Sequence, residues 1–127
     1  MFSHVMIGSN DLNASKKFYD AIFSSMGGDP GTLDVRGRLV YSKDGHRLMI
    51  TKPINGKKAI PANGGTIGFH MQSPEMANAW HSAGVANGGR SVEDPPGRRE
   101  RNGDPIYLAY LLDPDGNKLC ARCPVSS

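Results

Sequence analysis

Hydrophobic and polar positions alternate along this chain in short runs, separated by two stretches with a helical period. From Phe2 to Gly8, Val5 and Ile7 fall on one face and Phe2, His4 and Met6 on the other, as in a strand with one side buried. Ser9-Asn10-Asp11-Leu12 follows, a cluster suited to capping a helix. Leu12, Ser15, Tyr19, Ile22 and Met26 then recur at helical spacing, Phe18 and Phe23 widen the apolar stripe, and Gly27-Gly28 ends it. Strand-like pieces are expected from Thr32 to Arg36 and from Arg38 to Ser42. Lys43-Asp44-Gly45 reads as a turn, and Arg47 to Lys52 as a strand stopped by Pro53.

The second half repeats the order. Thr66 to Gln72 alternates like a strand, with Ile67, Phe69 and Met71 on one face and Thr66, Gly68, His70 and Gln72 on the other. Ser73-Pro74-Glu75 is a helix start, with Ser at the cap and Pro at the first helical position. Met76, Trp80 and Ala83 keep the apolar spacing, and Gly84 is expected to end the helix. A Gly-, Pro- and Arg-rich stretch from Asn87 to Pro105 reads as a loop. Ile106 to Leu112 reads as a strand, Asp113-Pro114-Asp115-Gly116 as a turn, and Lys118 to Cys123 as the last strand.

The chain therefore reads as a duplication: module 1 over about residues 1–52, a linker over about 53–65, and module 2 over about 66–124, within one domain. Each module has the order β-α-β-β-β, an α+β fold. His70 follows His4 by 66 positions and Gly116 follows Gly45 by 71, which a longer loop in the second half accounts for. Neither half of roughly 60 residues buries its sheet alone, so the two must pack together or on a partner chain. Extending the alternation, Arg47, Met49 and Thr51 share the face away from the helix in module 1, and Lys118, Cys120 and Arg122 do so in module 2. On this reading the duplication projects His4, Met49, His70 and Cys120 onto the non-helix side, where a curved sheet makes a pocket. Thr51, Gln72 and Arg122 are expected beside them, with either Tyr107 or Tyr110.

Composition narrows the class. The 127 residues are 38% hydrophobic and 21% charged, ordinary for a soluble domain. No run approaches the ~18 apolar residues of a membrane span. The first residues lack a basic segment and a long apolar one, so no signal peptide is expected. Cys120 and Cys123 have no second pair to complete a zinc site and do not open a helix, and a free, reduced pair in the cytoplasm is expected. The net charge of +3 is mild. The basic run Arg98-Arg99-Glu100-Arg101 lacks interleaved aromatics, so nucleic acid is not suggested, although the run would draw in an anionic small molecule.

Three segments carry a resemblance: His4 with Ser9-Asn10-Asp11-Leu12 and Phe18-Tyr19; Gly68-Phe69-His70; and Asp113-Pro114-Asp115-Gly116-Asn117-Lys118. With the duplication, they resemble the vicinal oxygen chelate superfamily of glyoxalase I, bleomycin- and fosfomycin-resistance proteins and extradiol dioxygenases. The resemblance covers essentially the whole chain. It implies an open, incomplete barrel around a concave pocket, and a homodimer. It also implies metal ligands, often His, Glu, His and Glu, at the positions of His4, Met49, His70 and Cys120. Both carboxylates are missing. Isomerisation of glyoxalase type needs a carboxylate to move a proton beside a metal-bound oxygen, and Met49 cannot carry one. A divalent metal such as zinc has His4 and His70 as candidate ligands, with Cys120 only if something lowers its pKa. The expected function is thus binding of a small molecule, an anionic one if the basic run draws it in, without the usual metal chemistry. The alternative is a metal-dependent lyase or isomerase of lactoylglutathione-lyase type with altered ligands.

Overall fold

The computed structural model describes residues 1–125. Among them are two helices and nine strands, ordered β1 (Val5–Gly8), α1 (Leu12–Ser25), β2 (Thr32–Leu33), β3 (Leu39–Lys43), β4 (His46–Thr51), β5 (Ile67–His70), α2 (Pro74–Ala86), β6 (Arg90–Ser91), β7 (Gly97–Arg101), β8 (Asp104–Leu112) and β9 (Lys118–Pro124). They form two mixed sheets that do not close into a barrel. Module 1 gives the order β1-β4-β3-β2; module 2 gives β5-β9-β8-β6, with β7 also paired to β8. In each sheet the first strand runs parallel to the last one in its module and leaves its other edge unpaired.

The helices begin where the caps predict. Asp11 accepts from the backbone N–H groups of Asn13 and Ala14, and Ser73 accepts from that of Met76. The buried faces match one another. Ser15, Phe18 and Ile22 of α1 correspond to Ala77, Trp80 and Gly84 of α2, and all are fully buried or nearly so. Residues of both modules enter one core, with Phe18, Tyr19 and Ile22 beside Trp80, Leu111 and Leu119. Gly84 does not end α2, which runs on to Ala86. It is instead a point of close approach: a Cβ there would lie 2.4 Å from Leu111 Cδ1 and 3.2 Å from Phe18 Cε1.

The two modules are joined by a polar clasp between the start of α1 and the turn before β9. Asp113 is 3% exposed. It accepts from Tyr19 Oη at 2.6 Å, from Asn117 Nδ2 at 2.9 Å, and from the backbone N–H groups of Asp115 and Asn117, both at 2.9 Å. Burial, then the nearby Asp113 carboxylate, push the Tyr19 hydroxyl well above its ordinary pKa, so it stays a donor. Asn117 also donates to the carbonyl of Gly8 at 3.2 Å, and Asp115 receives the backbone N–H of Asn10 at 2.9 Å. Asn10 in turn fastens the linker, giving Nδ2 to the carbonyl of Ala59 and accepting its N–H. The Ser9-Asn10 and Asp113-to-Asn117 segments are thus two halves of one fastening.

Three expectations need correction. The stretch from Asn87 to Pro105 is not a plain loop, because it holds β6 and β7, and β8 starts at Asp104. The basic run lies on β7 and pairs with β8 through a hairpin whose turn residues, Asn102 and Gly103, both have positive φ (52° and 82°). The strand expected from Thr32 to Arg36 shrinks to Thr32–Leu33, since Asp34 turns the chain by accepting the N–H groups of Arg36 and Arg38. Finally, His4 and His70 do not occupy equivalent places. Ser73 caps α2 62 positions after Asp11 caps α1, and Met6 pairs with Met49 just as Gly68 pairs with Cys120. By that register Thr66 stands where His4 does, and Gly8 where His70 does.

Two stability outcomes follow from this packing. Asp113→Ala strands a buried hydroxyl and two backbone donors and is expected to cost about 3 kcal/mol or more in urea unfolding, against ~1–2 kcal/mol for Tyr19→Phe. The double variant is expected to cost clearly less than the sum, since the two changes remove one shared bond. Gly84→Ala is expected to destabilise by about 1–3 kcal/mol through overpacking, although alanine is the better helix former; an unchanged midpoint would show that Leu111 can move aside.

Candidate functional site

Strand register decides where each candidate side chain lies. Met49 is paired with Met6 and Val40, and Cys120 with Gly68 and Tyr110, so both stand on the faces away from the helices. Arg122 pairs with His70 and Leu108 and shares the face of Cys120. Thr51 pairs with Gly8 and turns its hydroxyl to the carbonyl of Lys52. Of the two tyrosines, Tyr110 lies on the Cys120 side, under Lys118, whose ammonium is 5.0 Å from the ring centre. Tyr107 lies on the opposite face and donates to Asn78 of α2 at 2.7 Å.

A cavity of about 370 Å³ opens between the modules. It lies where the first residues of the chain, the β3–β4 hairpin, the last turn of α1 and the start of α2 converge along β5. Its inner wall is apolar: Phe23 and Met26 from α1, Tyr41 and Leu48 from sheet 1, Phe69 from β5 and Met76 from α2. Phe23 stacks on Tyr41 with centroids 4.6 Å apart and meets Phe69 edge-on at 5.8 Å. Tyr41 is held from behind, its hydroxyl donating to Asp20 at 2.6 Å. Polar groups stand at the rim: His4, His46, Arg47, His70 and Gln72. His4 Nδ1 is 2.8 Å from Ser3 Oγ. The structure therefore brings His4, His70 and Gln72 to one cavity, and Met49, Thr51, Cys120 and Arg122 are outside its lining. Arg122 and Arg101 instead line a second concavity at the open end of the β7–β8 hairpin. The cavity residues that sequence reasoning missed include Phe23, Phe69 and Met76, placed on the buried faces of their elements, and Tyr41 and His46, to which the alternation gave no role.

The donors do not suit a metal of the kind the resemblance implies. The corresponding positions hold His4, Met49, Thr66 and Cys120, with one imidazole and no carboxylate. Burial pushes the Cys120 thiol up, only partly offset by Tyr110 and Arg122, so it is not a ready thiolate. Among the described residues no three His, Cys, Asp or Glu side chains gather as metal ligands. Cys120 and Cys123 are both free and buried.

A sequence profile of the Glyoxalase/Bleomycin resistance protein/Dioxygenase superfamily matches residues 1–121. The chain belongs to this superfamily. It is 52% identical to a glyoxalase/bleomycin resistance protein from Albidiferax ferrireducens T118, over 97% of this chain and 98% of that one, with a TM-score of 0.92. It has the fold of a glyoxalase-related enzyme from Fulvimarina pelagi (19% identity, 100% and 93% covered, TM-score 0.73). It also shares the fold of a lactoylglutathione lyase from Agrobacterium tumefaciens (18% identity, 97% and 92% covered, TM-score 0.66). Among curated proteins no relative matches. No described helix is long and apolar enough to cross a membrane.

The site chemistry makes a direct expectation. Neither cysteine of the native protein should react appreciably with a thiol reagent at neutral pH, while both react after unfolding. Zinc titrated against a chromogenic chelator should show no stoichiometric site that His4→Ala removes. Fast labelling of Cys120, or a His4-dependent zinc site, would reverse this assignment of the donors.

Proposed function

We propose that the protein binds a small organic molecule in the cavity between its modules, as a metal-independent member of the glyoxalase/bleomycin-resistance group. The observation that carries this is the cavity itself: an apolar wall with a few polar side chains converging at its rim, the usual composition of a small-molecule site. The lyase reading has less support, because the donor set lacks the carboxylate that would hold a metal or move a proton. A homodimer in the cytoplasm fits the same chain. The free edges of β1 and β5 and the exposed Phe2 and Met6 are surfaces a second copy would cover, narrowing the mouth of the cavity as it did so, and free cysteines persist where thiols stay reduced.

Gly68 gives a clean test. It lines the cavity, and a Cβ placed on it meets no atom within 4 Å, so Gly68→Trp sets an indole at the cavity mouth beside β5 without disturbing the core. A thermal-shift screen of fragments should find compounds that stabilise the wild type, by about 2.7 kcal/mol at a hundredfold excess over Kd. Gly68→Trp should fold normally and lose that stabilisation. Compounds that stabilise both proteins equally, or none that stabilise the wild type, would defeat the proposal.

A further inference from the structure

Resting on that reading, we infer that the ligand is a planar aromatic carboxylate, its ring held against Phe69 and Met76, with Phe23 and Tyr41 behind them, and its acid group at the rim beside Arg47. Three observations carry the class. The first is the wall. Phe69 is partly exposed and meets the nearly buried Phe23 edge-on, with Tyr41 stacked behind, so a flat ring set on Phe69 extends an aromatic cluster by the same geometry. Met26 and Met76 complete that wall, and thioethers adapt to the edge of a flat ring.

The second is the balance of charge at the rim. Its carboxylate, Asp44, is already paired with Lys43 at 3.0 Å. Arg47 is exposed and has no acidic partner among the described residues. The imidazoles of His4, His46 and His70 and the Gln72 amide add hydrogen-bonding groups and no negative charge. A cation would find no unpaired carboxylate here, whereas a carboxylate meets a guanidinium fork.

The third is position. His4 and Arg47 immediately precede Val5 and Leu48, which pair in the parallel register of β1 and β4. The two side chains therefore start side by side at one end of the sheet. Val5 and Leu48 also line the cavity, so each polar rim residue directly precedes an apolar wall residue, its side chain leaving on the other face at the cavity's edge.

The test compares naphthoate, its uncharged carboxamide and cyclohexanecarboxylate by calorimetric titration against the wild type, Arg47→Gln and Gly68→Trp. Naphthoate is expected to bind the wild type more tightly than either analogue. Arg47→Gln should weaken naphthoate about three- to tenfold and leave the carboxamide unchanged. Salt at about 1 M, where the screening length falls to ~3 Å, should reduce the difference between acid and amide. Gly68→Trp should abolish binding of all three. If the carboxamide binds as well as the acid, or Arg47→Gln changes nothing, the ligand class is wrong while the cavity reading stands. The ligand class is equally wrong if only uncharged screening hits are sensitive to Gly68→Trp. If naphthoate binds Gly68→Trp unchanged, it sits elsewhere and the inference is overturned. If no compound of any class responds to Gly68→Trp, the inference and the proposed function fall together.

Discussion

The constraint on which the rest of the structure depends is the burial of Asp113. A carboxylate taken out of water costs several kcal/mol unless its oxygens are filled with donors. Here Tyr19, Asn117 and two backbone N–H groups fill them. Only one of those donors comes from module 1, and it comes from the middle of α1. Satisfying Asp113 therefore fixes where α1 lies against the β8–β9 turn. Phe23 stands one turn further along the same helix, so the clasp also sets the aromatic wall of the cavity. Asn10 extends the constraint to the linker through Ala59, and Asn117 extends it to β1 through Gly8. The relative placement of the modules is thereby tied at one end by polar bonds and along the helices by close packing at Gly84.

The duplication is preserved in the buried faces and abandoned elsewhere. Phe18 and Trp80 fill matching places, as do Ser15 and Ala77, and Ile22 and Gly84. The counterpart of Asp113 in module 1 is Lys43, a cation paired with the adjacent Asp44, so the clasp works in one direction only. The counterpart of Phe23 is Val85, which is exposed. Phe23 and Tyr41 thus give module 1 two rings where module 2 has Val85 and Leu111, and the cavity lies beside them.

Much of this was legible in the residues, and the failures have physical causes. The helix stripes and caps were readable because a single element shows its own period. So was the Asp44-Gly45 hairpin, whose two turn residues take the positive φ that this dipeptide suits (52° and 80°). Strand β7 was missed because its Arg and Glu residues resemble a solvated loop, though Asn102-Gly103 is the matching signal. Matching His4 to His70 follows residue identity, which is a poor landmark between diverged modules. The helix cap is the mechanical landmark, since the register of each first strand is set by the hydrogen bonds beside it. The Asp-Pro-Asp-Gly-Asn segment was readable as a turn. Its role as a clasp was not, because Tyr19 lies 94 positions away and only the folded chain brings the two together. Alternation likewise gave the face of each side chain and left open which face adjoins a cavity. Val5, Leu48 and Phe69 point toward the helices and still line it, because β1 and β5 are edge strands.

The residues at the first and last strands and the position of the cavity have a common consequence. A metal at the centre of a barrel would hold its modules together through its own bonds. This chain holds His4, Met49, Thr66 and Cys120 at those places, and it ties its modules by Asp113 and by helix packing instead. The tie leaves the edges of β1 and β5 unjoined, and the cavity opens along them. A ligand seated there touches Phe23 and Leu48 of one module and Phe69 and Met76 of the other, so its binding free energy includes whatever ordering the modules still lack. The clasp and the close packing at Gly84 oppose such movement, so the walls are held in place from behind. A preorganised apolar wall loses little entropy on binding, which leaves discrimination to the few charged groups at the rim. In this chain the exposed guanidinium of Arg47 is the rim group whose charge is not already spent on a neighbour.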